Sequence, residues 1–72
     1  MNKNYISNSA DLGRKIRTKR KELKINQTEL AGICNVGTRF ISDLENGKPS
    51  IEFDKALKVA RNIGIKLIAE DL

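Results

Sequence analysis

Residues 27–48 read QTELAGICNVGTRFISDLENGK, two short stretches of helical periodicity on either side of a breaker. Leu30, Ala31 and Cys34 form the apolar side of the first stretch, and Val36, Ile41 and Leu44 that of the second. Between them stands Asn35-Val36-Gly37. Asparagine is among the few residues besides glycine that enter left-handed backbone cheaply, so the first helix is expected to end at Asn35 with a sharp change of direction. Ala31, with its small side chain, leaves room for the second helix to cross closely.

On a wheel of 100° per residue, Ile41, Leu44, Phe40 and Gly37 share one side of the second helix. Thr38, Arg39, Ser42 and Asn46 share the other, with Asp43 at the polar edge. The polar side is short-chained around one long guanidinium, which suits a surface that enters a groove and hydrogen-bonds base edges. The same face taken alone is equally an ordinary solvated surface. What separates the readings is the tight turn: helix, turn and helix with a small residue at the crossing is the pattern of a DNA-binding helix-turn-helix. The implied partner is double-stranded DNA.

Charge distribution points the same way. The net charge is +5 over 72 residues, but the chain through Ile25 carries eight bases against two acids, whereas from Asn26 onward seven acids outweigh six bases. The positive excess therefore belongs to the first helix. A basic amphipathic helix also suits a membrane surface, yet this apolar stripe is narrow and has no Trp or Phe. No apolar run reaches signal-peptide or membrane-span length, so the expected location is the cytoplasm. One cysteine excludes an internal disulfide, and the lack of histidine removes the usual zinc ligands and general base. No metal, cofactor or catalytic activity is expected. A chain this small buries little core alone, which leaves oligomerisation as the remaining support.

Taken in order, residues 1–8 read as a loose polar arm carrying Tyr5 and Ile6. Ser9 is the expected N-cap of a first helix over about Ala10 to Leu23, with Asp11 complementing its dipole and Leu12, Ile16 and Leu23 at helical spacing. Gly13 inside it is an intrinsic cost. Arg20 lies at the edge of that stripe and Glu45 at the edge of the apolar side of the groove helix, so the two are candidates for a framework ion pair. Asn26 and Glu29 have the spacing of a capping box, which leaves Gln27 at the first helical position, placed to grip a phosphate beside free backbone N–H groups. Cys34 reads as a small hydrophobe. Gly37 caps the groove helix without a side-chain oxygen, and Gly47 followed by Pro49 ends it. Ser50 is expected to begin a fourth helix with Phe53, Leu57, Ala60 and Ile63 in the core, joined by Ala56 and Val59 and stopped by Gly64. The β-branched run Ile65-Lys66-Leu67-Ile68-Ala69 then reads as a short strand that needs a partner, most economically the same strand of a second copy. The expected fold is all-α, a four-helix helix-turn-helix domain over residues 9–64 with a dimerisation strand over 65–72 that uses Ile65, Leu67 and Ile68.

From about Leu12 to Ile63 the chain resembles the Cro-type (XRE) helix-turn-helix repressors. LGRKIRTKRKEL, NQTELA and FISDLENGK are similar to that family's first helix, its second-helix opening and the end of its recognition helix. The tail GKPSIEFDKALKVARNIGIKLIAEDL resembles that of the HipB-type antitoxins, whose strand joins two subunits. The resemblance implies a compact lambda-repressor-like fold, binding to a palindromic operator as a homodimer, repression of the protein's own operon, and a HipA-type kinase toxin as partner. It further implies base reading by Thr38, Arg39 and Ser42, with Asp43 as a fourth, and Arg20 with Glu45 as framework pair. Phosphate contact is expected from Gln27, Thr28, Gly37, Phe40, Asn46 and Lys48. Two departures stand out: Asn35 where glycine is commonest, and Gly37 where Ser or Thr usually caps. A stand-alone or phage-type repressor without a toxin, and a protein-interaction module on the same fold, fit the same residues.

Overall fold

Capping chemistry decides where each helix begins in the computed structural model, which describes residues 5–72; the first four residues of the expected arm lie outside them. Helix α1 spans Ser9–Glu22, and its N-cap is Asn8 rather than Ser9, because the Asn8 side chain accepts from the Asp11 amide at 2.9 Å. The Asp11 carboxylate in turn accepts from the Ser7 amide and pairs with Arg14. Helix α2 spans Gln27–Cys34 and opens on the expected capping box, with Asn26 Oδ1 accepting from the Glu29 amide at 2.7 Å and Glu29 Oε1 from the Asn26 amide at 2.8 Å. It ends at Asn35, which adopts left-handed backbone (φ 56°) and sends the chain directly into α3, Thr38–Glu45. Gly37 caps α3 with no side-chain hydrogen bond. Helix α4 covers Phe53–Asn62.

The fourth helix starts later than its hydrophobic spacing predicts. A turn with the Ile51 amide donating to Lys48 O first tucks Ile51 against the core, and only after Glu52 does the helix begin. Phe53 therefore stands at the rim and is 61 % exposed, while Ala56, Val59, Ala60 and Ile63 make the buried line. Leu23, expected in the apolar stripe, is also largely exposed. At 1.5 Å per residue α1 is about 21 Å long and α3 about 12 Å, so the C-terminal end of α1, with Leu23 at its cap, outruns the helix beneath it. Leu12 and Ile16 of α1, Leu30, Ala31 and Cys34 of α2, and Ile41 and Leu44 of α3 complete the core.

Gly13 marks a close approach of two helix backbones. A Cβ built there would collide with the carbonyl oxygen of Leu44 and lie 3.2 Å from Glu45 Cα, so α1 rides directly on the backbone of the last turn of α3. Gly47, in left-handed backbone (φ 77°), makes the neighbouring contact, where a Cβ would come within 2.9 Å of Ala10.

Among the described residues there is no strand. Past Gly64 (φ 85°), Ile65 to Leu72 carry no regular secondary structure: a single chain offers no second strand for a ladder, so the expected strand does not form within one copy. Ile65, expected at a dimer interface, is instead buried in its own core, its amide donating to Ala60 O at 2.8 Å, because a helix stopped at Gly64 folds the next apolar residue back on itself. Leu67 packs partly on that core, and Ile68 is 80 % exposed.

The two helical glycines with side chains missing for opposite reasons give a paired expectation. Gly13→Ala should destabilise the fold by about 1–3 kcal/mol through overpacking. Gly32→Ala, where a Cβ meets nothing within 4 Å, should stabilise it by about 0.5–1 kcal/mol. Urea midpoints at constant m-value check both.

Candidate nucleic-acid interface

The site is assembled around one carboxylate. Glu45, at the last position of α3, receives Arg20 Nε on Oε2 at 2.6 Å and Arg20 Nη2 on Oε1 at 3.0 Å, a two-pronged pair from α1. Gln27 Nε2, from the first position of α2, donates to the same Oε1 at 3.1 Å. The remaining Arg20 nitrogen donates to Ile25 O at 2.8 Å in the α1–α2 connection. Both charged residues are 8 % exposed. Burial by itself pushes the Glu45 carboxyl up, but hydrogen bonds from Arg20 and Gln27, with the positive field of Arg20 and Arg17, hold it below the ordinary carboxylate range. The hydrogen bond to Glu45 likewise raises Arg20, against the opposing effect of burial.

This network holds the N-terminus of α2 beside the C-terminal end of α3, while the Asn35 turn joins the C-terminal end of α2 to the N-terminus of α3. In α2 the capping box and the Asn26 carbonyl engage the Glu29 and Leu30 amides, which leaves the N–H groups of Gln27 and Thr28 with no acceptor among the described residues. In α3 the Gly37 carbonyl takes the Phe40 amide at 3.0 Å and the Ile41 amide at 3.3 Å, leaving those of Thr38 and Arg39 in the same condition. Open donors at a helix N-terminus favour anionic oxygen. A side-chain cap on α3 would occupy one of them; glycine does not.

The residues expected to read bases occupy the outward side of α3 but divide by their partners. Thr38 and Arg39 are exposed, and the Arg39 side chain keeps 89 % of its surface in solvent. Asp43 sits between two cations, 3.6 Å from Arg39 Nε and 3.6 Å from Lys48 Nζ. Ser42 Oγ accepts from Asn46 Nδ2 at 3.4 Å, so those two expected contacts share one hydrogen bond. Of the expected phosphate contacts, Thr28, Gly37, Asn46 and Lys48 are exposed, while Gln27 is half-buried with part of its amide committed to Glu45. Phe40 has its N–H already engaged; its ring lies partly on the core beneath the Lys55 ammonium, 5.7 Å from the centroid. Cys34 is fully enclosed and burial pushes its thiol up, so it serves as a packing group.

Residues 16–68 match the helix-turn-helix family. The chain belongs to it. This helix-turn-helix protein is also 45 % identical over 62 residues to an uncharacterized HTH-type transcriptional regulator, y4mF, of Sinorhizobium fredii (strain NBRC 101917 / NGR234); the aligned region covers 86 % of this chain and 82 % of the relative. The arrangement of α2, the tight Asn35 turn and α3 is therefore that of a DNA-binding helix-turn-helix, with α3 as recognition helix. Sequence spacing found the Arg20–Glu45 pair but not the Gln27 link to it, nor the Gly13 crossing. The signal for the first was available in Gln27 lying one position beyond a capping residue, where its side chain turns back toward the neighbouring helix. For the second, a glycine placed mid-helix on the buried stripe was the sign.

Cutting this network should be costly. Arg20→Met or Glu45→Leu alone leaves a buried partner uncompensated and should lose about 3–5 kcal/mol, whereas the double replacement should lose clearly less. A double-mutant cycle by urea denaturation measures the coupling. Because the folded Glu45 carboxyl is depressed, its contribution is whole above the unfolded value of about 4.3 and is lost as pH falls through the folded value. The double variant should show a shallower decline of stability below that pH than the wild type.

Proposed function

We propose that this chain is a transcriptional repressor that binds a palindromic operator as a homodimer, with no catalytic activity. The observation that carries this reading is the exposed Thr38–Arg39 face of α3, flanked by open amides at the N-termini of α2 and α3. Amides, Gln27 and Lys48 grip phosphates and fix register; Arg39 supplies the long donor that distinguishes guanine in the major groove. Asp43, close to both Arg39 and Lys48, orients the guanidinium and disfavours contact with the wrong base edge. The relative's description as a transcriptional regulator supports the regulatory part of the reading.

The dimer draws its support from the tail. Residues 66–72 make no backbone hydrogen bond among the described residues, and Ile68 projects into solvent. Paired tails would offer a two-fold axis and two α3 helices spaced for successive major grooves, about 34–36 Å apart. The resemblance of the same tail to HipB-type antitoxins supports a role as the antitoxin of a kinase-toxin operon that it represses, with a HipA-type kinase as its protein partner.

Selection of bound sequences from a random DNA pool tests the repressor reading directly: a palindrome with a guanine reader in each half-site is expected, and recovery of unselected sequence overturns it. Arg39→Ala should cost about 1–3 kcal/mol of discrimination at one base pair per half-site without altering the fold. Lys48→Ala should weaken all sequences alike and reduce the slope of log affinity against log salt by about one unit per half-site. Co-purification of the chain with a HipA-type kinase encoded in the same operon checks the antitoxin role, and an operon without such a kinase overturns it.

A further inference from the structure

We infer that the groove between α1 and the C-terminal segment is a docking site for an extended segment of another protein in which acidic and apolar residues alternate, its carboxylates seated on Lys15 and Lys19. Docking there needs neither the operator nor a dimer. The positive excess of the chain belongs to its first helix, yet none of the phosphate contacts proposed above is an α1 lysine. Lys15, Lys19 and Glu22 line the α1 side of the groove, and Lys66 and Leu67 belong to its other wall, around a volume of about 250 Å³. Lys15 and Lys19 are half-buried. Among the described residues, Lys15, Lys19, Glu22 and Lys66 make no ion pair, so three lysines against one glutamate leave the groove basic. That charge is not turned toward the recognition helix: the groove lies on the side of α1 roughly opposite the one that Gly13 and Arg20 press against α3.

Shape and spacing favour a polypeptide over a small anion. The groove shares Ile6, Lys66 and Leu67 with a wider cleft of about 690 Å³, whose other apolar lining is Tyr5, Ile68, Ala69 and Leu72. A chain seated on the lysines therefore continues over apolar surface. Residues 66–72 make no backbone hydrogen bond among the described residues, so main-chain donors and acceptors stand open along the path. Lys15 and Lys19 are one turn apart, about 6 Å along the helix axis. Alternate residues of an extended peptide are about 6.6 Å apart and point the same way, so two carboxylates one residue apart meet the two ammonium groups while the side chain between them turns to the apolar floor. Glu22, about 4.5 Å farther along α1, repels a third. The chain's own acids do not fit this spacing. Glu70 and Asp71 are consecutive, so an extended segment carries them on opposite sides, and the tail of a second copy is not the occupant.

Fluorescence anisotropy of the labelled peptide Leu-Asp-Leu-Asp-Leu, titrated with the full chain at physiological salt, tests the site. Saturable binding is expected. It should be at least about tenfold weaker for the rearranged peptide Leu-Leu-Leu-Asp-Asp and for the variant Lys15→Glu/Lys19→Glu, in which like charges meet. Lys21→Glu/Lys24→Glu, which changes exposed lysines outside the groove, should bind as wild type does. The Lys15→Glu/Lys19→Glu variant should instead take up Leu-Lys-Leu-Lys-Leu, which wild type does not, and an unfolded chain cannot make that exchange. No saturation by about 1 mM peptide, or equal binding of the two aspartate peptides, reduces the groove to diffuse charge attraction and overturns the site. Two further results overturn it as well. If duplex DNA displaces the peptide from wild type and Lys15→Glu/Lys19→Glu weakens DNA retention in step, the lysines serve the duplex; if the same variant falls from dimer to monomer in sedimentation equilibrium, the groove belongs to a second copy.

Discussion

A single buried carboxylate holds three helices in register. Glu45 accepts from Arg20 on α1 and Gln27 on α2 while belonging to α3, and a carboxylate taken so far out of water is tolerable only with all those donors in place. The helix-turn-helix angle is thereby tied to α1. The same constraint explains the crossing at Gly13: for Arg20 to meet Glu45, α1 must descend onto the backbone of Leu44 and Glu45, and only a residue without a side chain allows it. The intrinsic cost of a mid-helix glycine, about 0.5–1 kcal/mol, is offset by the pairing that the close approach makes available.

From this framework follows the character of the interface. Gln27 is tethered inward, so the α2 N-terminus is held beside the recognition helix rather than left to swing. The open amides of Gln27, Thr28, Thr38 and Arg39 form two donor sites at fixed separation, a preorganised arrangement that costs little to engage with phosphate. Arg39 is long, exposed and only loosely joined to Asp43 at 3.6 Å, so its guanidinium is free to move where the backbone amides are not.

The C-terminal segment shows how a small domain divides its apolar residues between two uses. Ile63 and Ile65 close the chain's own core, whereas Ile68 and Leu72 are left in water. A 72-residue fold has limited surface to bury, and a tail that alternates inward and outward side chains finishes one core while presenting an edge.

The chain's own order of residues determined the helix-turn-helix by itself. Asn35 between two apolar periodicities, the Asn26–Glu29 box, Gly47 and Gly64 are local signals whose physics is complete within a few residues, and each acts in the structure as its spacing predicts. The start of α1 was off by one residue because Asn8 and Ser9 are both competent caps, and only the position of Asp11 chooses between them. What periodicity could not decide was which apolar residues lie within reach of another helix: Phe53 and Leu23 have the right spacing but stand at helix ends with nothing packed over them. The Gly13 crossing, the Gln27 tether and the inward turn of Ile65 likewise depend on elements far apart in the chain. Such contacts arise from the placement of one backbone on another, and so they were settled by tertiary packing alone.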